Sequence, residues 1–193
     1  MSLWTEVKGS WSSVFEVWGS YWKLYGGWRA LLVSPYFHVA IFCTAICYRF
    51  WSRPEWWETV ISVAPTFLGF TLAGLAIFFS VSDEGFKRII AYKDSDSPSS
   101  PFLDIVVAFV KLVERQGAAF LMALIAKSLF FIWATAPRFY LELLPFLNVL
   151  GWGFGFLIFA YSSLLLLAAT FSIFRVARWY ETHVTTSVDD EDK

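Results

Sequence analysis

Charge is what this sequence has least of. Asp, Glu, Lys and Arg together make up 16% of its 193 residues, against roughly 25% in an average soluble domain. Apolar residues make up 58%. A chain this short has too little interior to hide that much apolar surface from water, so an ordinary soluble domain is excluded and a bilayer is the expected second solvent. Cysteine is nearly absent. Cys43 and Cys47 stand four apart on one expected helix, and two thiols without nearby His or further Cys are expected to pack, not to bind metal. Histidine is as scarce, with only His38 and His183. No run of Lys and Arg accompanies the net charge of −1, so no direct nucleic-acid binding is expected. The sequence contains no HExxH, no GxSxG, no phosphate-binding glycine loop and no CxxC, motifs that would place nucleophiles, zinc or phosphates. Neither Asp nor Glu lies inside any expected membrane span. The expectation is a non-enzyme with no catalytic residues, no cofactor and no metal.

Aromatic residues are abundant, with 11 Trp and 21 Phe. Trp favours the membrane–water interface, where its ring sits in apolar surroundings and its N–H finds a polar partner. Trp4, Trp11, Trp18 and Tyr25 recur every seven residues, and Val7, Val14, Phe15 and Trp22 fill in the same side. Residues 1–29 therefore read as an amphipathic helix lying in the interface, with Trp4, Trp11, Trp18 and Trp22 as its membrane contacts. Gly26 and Gly27 end it. This start lacks the basic stretch and short apolar core of a signal peptide.

Four spans follow, giving an all-α membrane fold. Residues 30–81 form a first hairpin, with spans near 31–50 and 59–81 and a Trp-rich turn at 51–57. Pro35 opens the first span, and Pro65 is expected to kink the second. Thr66, Gly69, Ala73, Ala76 and Ser80 make a small-residue stripe, a face on which another helix can approach closely. Residues 82–116 read as a cytoplasmic loop and a helical extension. That region includes the Ser-, Asp- and Pro-rich stretch 93–101 as a flexible loop and Pro101 in the first turn of a helix. Residues 117–175 form a second hairpin, with spans near 117–136 and 144–174 joined by an outer turn at 137–142. The last span has about 31 residues, or about 46 Å at 1.5 Å each, and must tilt, kink or leave a core of roughly 30 Å. It carries the pair Gly151 and Gly155. Residues 176–193 are a cytoplasmic acidic tail, with 189–192 expected to be disordered.

Eleven Lys and Arg fall in the N-terminal segment, the 82–116 region and the C-terminal end from Arg175 onward, against three at the outer side, Arg49, Arg53 and Arg138. The positive-inside rule then places both termini and the long loop in the cytoplasm of a cell whose inner membrane the chain crosses. Lys127 lies about ten residues from either end of the expected third span. A Lys at that depth costs about 2.5–3.5 kcal/mol, and no acid is expected at its level. Tyr161, Ser162, Ser163, Thr71 and Thr44 are expected near it as solvating hydroxyls, and His38 is a further polar group in the first span. The set Lys127, Tyr161, Ser162, Thr71 and His38 is thus the expected intramembrane polar site, structural or pore-lining.

Pro65-Thr-Phe-Leu-Gly-Phe-Thr-Leu-Ala-Gly-Leu-Ala76 followed by Ser82-Asp-Glu-Gly-Phe86 resembles a recurring segment of small, uncharacterised bacterial inner-membrane proteins. The resemblance covers about twenty-five residues. Four spans in about 200 residues also resemble, in architecture alone, the membrane subunits of antiphage cassettes such as Kiwa. The function expected from these likenesses is a homo-oligomeric sensor or anchor subunit in the bilayer, recruiting a cytoplasmic effector protein. A small channel or pore-forming effector is the second reading. Gly69, Ala73, Gly151 and Gly155 are its expected close helix contacts.

Overall fold

The computed structural model describes residues 3–81, 84–93, 99–130 and 138–191. Every regular element among them is a helix: α1 Leu3–Tyr25, α2 Gly27–Val33, α3 Pro35–Ile46, α4 Tyr48–Trp51, α5 Trp56–Val81, α6 Glu84–Ala91, α7 Pro101–Leu129 and α8 Arg138–Glu191. Local chemistry sets most of the breaks. Gly26 and Gly27 have φ of +87° and +62°, left-handed values that glycine adopts without strain, and α1 stops there. Ser34 is extended, as a residue before proline tends to be, and Pro35 starts α3. The expected first span is accordingly two pieces, α2 and α3, bent by 59°. Ser100 caps α7 by accepting from the Leu103 N–H at 3.3 Å.

The main packing pairs are α5 with α7, α7 with α8 and α3 with α8. Helices α5 and α7 run antiparallel: Lys127 meets Glu58, Gln116 meets Thr71, and the ring of Phe102 meets that of Phe78. One apolar core surrounds Trp51, Trp56, Trp57, Trp152, Phe156 and Leu165. A second, at the other end of the bundle, joins Phe86 and Ile90 of α6 to Ile105 and Phe109 of α7 and Val176 of α8. Helices α5 and α8 are long and apolar enough to cross a membrane, and α2 with α3 makes a third if the bent pair is one span. Their outward side chains, among them Phe70, Leu72, Ile77, Phe154 and Phe171, are exposed, which is costly in water and favourable in lipid. Helix α7 carries Asp104, Lys111, Glu114, Arg115 and Lys127, too many charges for an apolar span on its own.

Four expectations change. The third long helix ends at Leu129 rather than near 136, and residues 131–136 of the expected span lie outside the described residues. The expected outer turn is already helix from Arg138 onward, with residue 137 outside the described set. The expected disordered tail is helical as far as Glu191, because no Gly or Pro after Gly155 supplies a stop; Asp192 lies outside the described residues. The tryptophans of the 51–57 turn, expected at the interface, are core: Trp51, Trp56 and Trp57 are 7%, 2% and 3% exposed. Most of the expected loop at 93–101 lies outside the described residues.

Candidate functional site

Helix α7 buries Ile105, Phe109, Leu112, Gln116, Ala119 and Ala123, a stripe spaced four, three, four, three, four. Gln116 therefore occupies a core position in an otherwise apolar row. It is fully buried. Its Oε1 lies 3.2 Å from Thr71 Oγ1, a hydroxyl that also donates to the Phe67 carbonyl at 2.8 Å. The Gln116 amide nitrogen is buried and has no hydrogen-bond partner among the described residues. An unmet buried donor costs about 1–3 kcal/mol, so this position works against stability.

Charged groups flank Gln116 on the same helix. Glu114 accepts a hydrogen bond from the Tyr21 hydroxyl of α1 at 2.8 Å. Arg115 Nη1 lies 3.5 Å from Glu114 Oε1, while its Nε and Nη2 are buried without a partner among the described residues. Lys111 Nζ stands 5.8 Å from the centre of the Tyr161 ring on α8, within cation–π range. Tyr161 in turn meets Phe37 of α3 edge to face. The layer thus ties α1, α3, α5 and α8 to one short stretch of α7. Side chains on a helix lean toward its N-terminus, so Lys111, Glu114 and Arg115 lean toward the α6 end of the bundle.

The expected polar site is divided. Lys127 pairs with Glu58 at 2.8 Å, each side chain about half exposed at 52%. The reason is the earlier end of α7, which turns an expected mid-span position into one near the last turn. Lys111 and Lys127 are sixteen residues apart, about 24 Å along the axis. Thr71 and Tyr161 belong to the Lys111–Gln116 layer; Ser162 is buried but donates within its own helix, to the Phe159 carbonyl at 2.8 Å. Thr44 donates to its own helix, to the Ala40 carbonyl. His38 is exposed on α3 and does not join the layer. Lys111, Glu114, Arg115 and Gln116 were missed as a site because their charge reads as a cytoplasmic extension; the core-stripe spacing of Gln116 is the signal that could have found them.

The glycines also divide. Gly155 receives the Trp56 indole, and Gly153 that of Trp51. Gly69 and Gly151 have open space where a β-carbon would sit, and Ala73 is exposed, so these face outward. Trp4, Trp11 and Trp18 are exposed on α1, while Trp22 is half-buried and meets Trp28 edge to face. Cys43 and Cys47 are free thiols, and among the described residues no three His, Cys, Asp or Glu side chains converge to hold a metal ion. The layer can hold charge in a protein interior and couple α1 to the bundle. Compared with known proteins, the chain matches no family model, no curated protein and no solved structure.

Proposed function

We propose that the chain is a non-enzymatic, multi-pass inner-membrane subunit, a homo-oligomeric sensor or anchor that recruits a cytoplasmic effector, in keeping with a role in antiphage defence. The observation that carries this reading is the second apolar core, where α6, the foot of α7 and α8 pack around the last turns of α5, against its Leu75 and Phe78. A helix of 54 residues spans about 81 Å, far more than a bilayer core of roughly 30 Å, so α8 reaches well past the lipid. Such a platform suits docking of a soluble partner. The four crossings would be the α2–α3 pair, α5, α7 and α8, with α7 shielded by its neighbours and both termini cytoplasmic. Helix α1, amphipathic and lying in the inner interface, would report on that surface through the Tyr21–Glu114 bond. The exposed stripe with Gly69 and Ala73 would carry contacts between copies.

A channel loses its main support, because Lys127 has Glu58 beside it and sits near a helix end. The test combines topology with conductance. In a chain with Cys43 and Cys47 replaced, single cysteines at 10, 95 and 185 should resist an impermeant thiol reagent from outside, while those at 54 and 140 should react. The purified protein and its Lys127→Met variant should both be silent in a planar bilayer. An externally labelled residue 95 would overturn the topology, and a conductance lost in Lys127→Met would favour the channel.

A further inference from the structure

A small pocket of about 140 Å³ lies at the foot of the α7–α8 seam, between Asp104 and Ala108 of α7 and Ser172, Arg175, Val176 and Trp179 of α8. Its depth follows from two neighbours. Phe102, two residues before Asp104, packs its ring against Phe78 and Phe79, and the apolar stretch of α5 ends at Ser80. On α8, Arg175 directly follows Phe174, which closes that helix's apolar run. The α8 wall therefore passes from apolar to polar at the pocket, close to the end of the apolar stretch of α5, which sets the pocket at the level of lipid headgroups.

The pocket holds one charge of each sign. Asp104 accepts a hydrogen bond from Ser99, but neither Asp104 nor Arg175 forms an ion pair among the described residues, with each other or with any other group. Ala108 and Ser172 are small, which keeps the space between the two charges open. Trp179 is 40% exposed beside it, an indole suited to the interface. A dipolar ligand with an anionic and a cationic end fits this arrangement better than a simple anion, which Asp104 would repel.

We propose that this pocket binds the headgroup of a zwitterionic aminophospholipid of the phosphatidylethanolamine type in the inner leaflet. The phosphate faces the Arg175 guanidinium, the primary ammonium donates to the Asp104 carboxylate, and the acyl chains rise along the exposed apolar face of α8 that carries Phe171 and Phe174. Phosphatidylcholine carries the same charges but has no N–H to donate, and phosphatidylglycerol lacks the cation. The inference rests on the membrane reading and is independent of any effector.

The test uses the full chain in nanodiscs made with equal parts of phosphatidylethanolamine, phosphatidylcholine and phosphatidylglycerol, with the lipids retained after detergent transfer counted by native mass spectrometry. The wild-type chain should retain phosphatidylethanolamine several-fold over phosphatidylcholine. Arg175→Gln should lower that retention about tenfold, the scale of one charge-assisted hydrogen bond. Asp104→Asn should abolish the preference over phosphatidylcholine. Ser172→Leu, which fills the pocket and touches neither charge, should lower retention of phosphatidylethanolamine with helix content unchanged. Retention in proportion to the mixture, dominance of phosphatidylglycerol, or wild-type behaviour in all three variants would overturn the pocket alone. A chain that does not enter nanodiscs would overturn the membrane reading and the pocket with it.

Discussion

Gly155 lies directly against the indole of Trp56: a β-carbon at Gly155 would stand 2.9 Å from Trp56 Cη2. The same relation holds between Gly153 and Trp51, at 3.0 Å. These glycines admit rings where helix–helix packing would have admitted backbone. The seat lets Trp56 and Trp57 bury against Phe156 and Trp152, which fixes the α4–α5 turn on α8. Rings in such offset and edge-on contacts add about 0.5–1.5 kcal/mol beyond their buried area.

Gly155→Ala should therefore destabilise the protein by about 1–3 kcal/mol, the usual cost of overpacking a filled core. Gly151→Ala should be neutral or stabilising by up to about 1 kcal/mol, since its β-carbon meets open space and alanine is the better helix former. Thermal unfolding of the two variants in the same detergent checks the contrast. Equal midpoints would mean that Trp56 is free to move.

Glu58 and Lys127 should behave as a surface pair. Both side chains are half exposed, and exposed pairs contribute about 0–1 kcal/mol. A double-mutant cycle with Glu58→Gln and Lys127→Met should give a coupling under about 1 kcal/mol that shrinks as salt is raised. A coupling several times larger, insensitive to salt, would place the pair inside the hydrocarbon.

Much of the helical plan was legible in the sequence, and the failures have physical causes. Gly26 and Gly27 marked the end of α1, and Pro101 marked the start of α7, because glycines and prolines act through local backbone chemistry. Lys127 was misplaced because hydropathy alone cannot say where a helix ends inside an apolar run. The acid that neutralises it, Glu58, is 69 positions away, and only the antiparallel register of α5 and α7 brings the two together. The polar layer was hidden for a related reason: Lys111, Glu114 and Arg115 look like a solvated extension until Thr71, Tyr161 and Tyr21 are set beside them.

Tyr21→Phe removes the hydroxyl that α1 donates to Glu114. Helix α1 has few other contacts with the bundle, and most of its side chains are exposed. Hydrogen exchange across residues 3–25 should speed up markedly, while the unfolding midpoint of the bundle moves by the equivalent of about 1–2 kcal/mol or less. Unchanged exchange in α1 would show that its Trp face holds it independently of Glu114.

Gln116→Leu separates architecture from function in the polar layer. Gln116 is fully buried, and its amide nitrogen has no partner among the described residues. Leucine has a similar volume, removes the unmet donor and extends the apolar stripe of α7. The loss on the other side is the contact with Thr71, whose hydroxyl keeps its bond to Phe67. Replacing a half-satisfied buried polar group with an apolar one is near neutral or stabilising, so the unfolding midpoint should hold or rise. Gln116→Glu, which risks a buried charge, should lower it by the equivalent of several kcal/mol or reduce the inserted amount. The informative measurement is cellular activity of Gln116→Leu at matched membrane abundance. A stable, assembled and inactive protein would mean that α7 keeps an energetically unfavourable amide because the layer must rearrange or exchange partners during signalling. A stable and fully active protein would reduce the layer to scaffolding and leave α1 and the α6–α7–α8 platform as the parts that act.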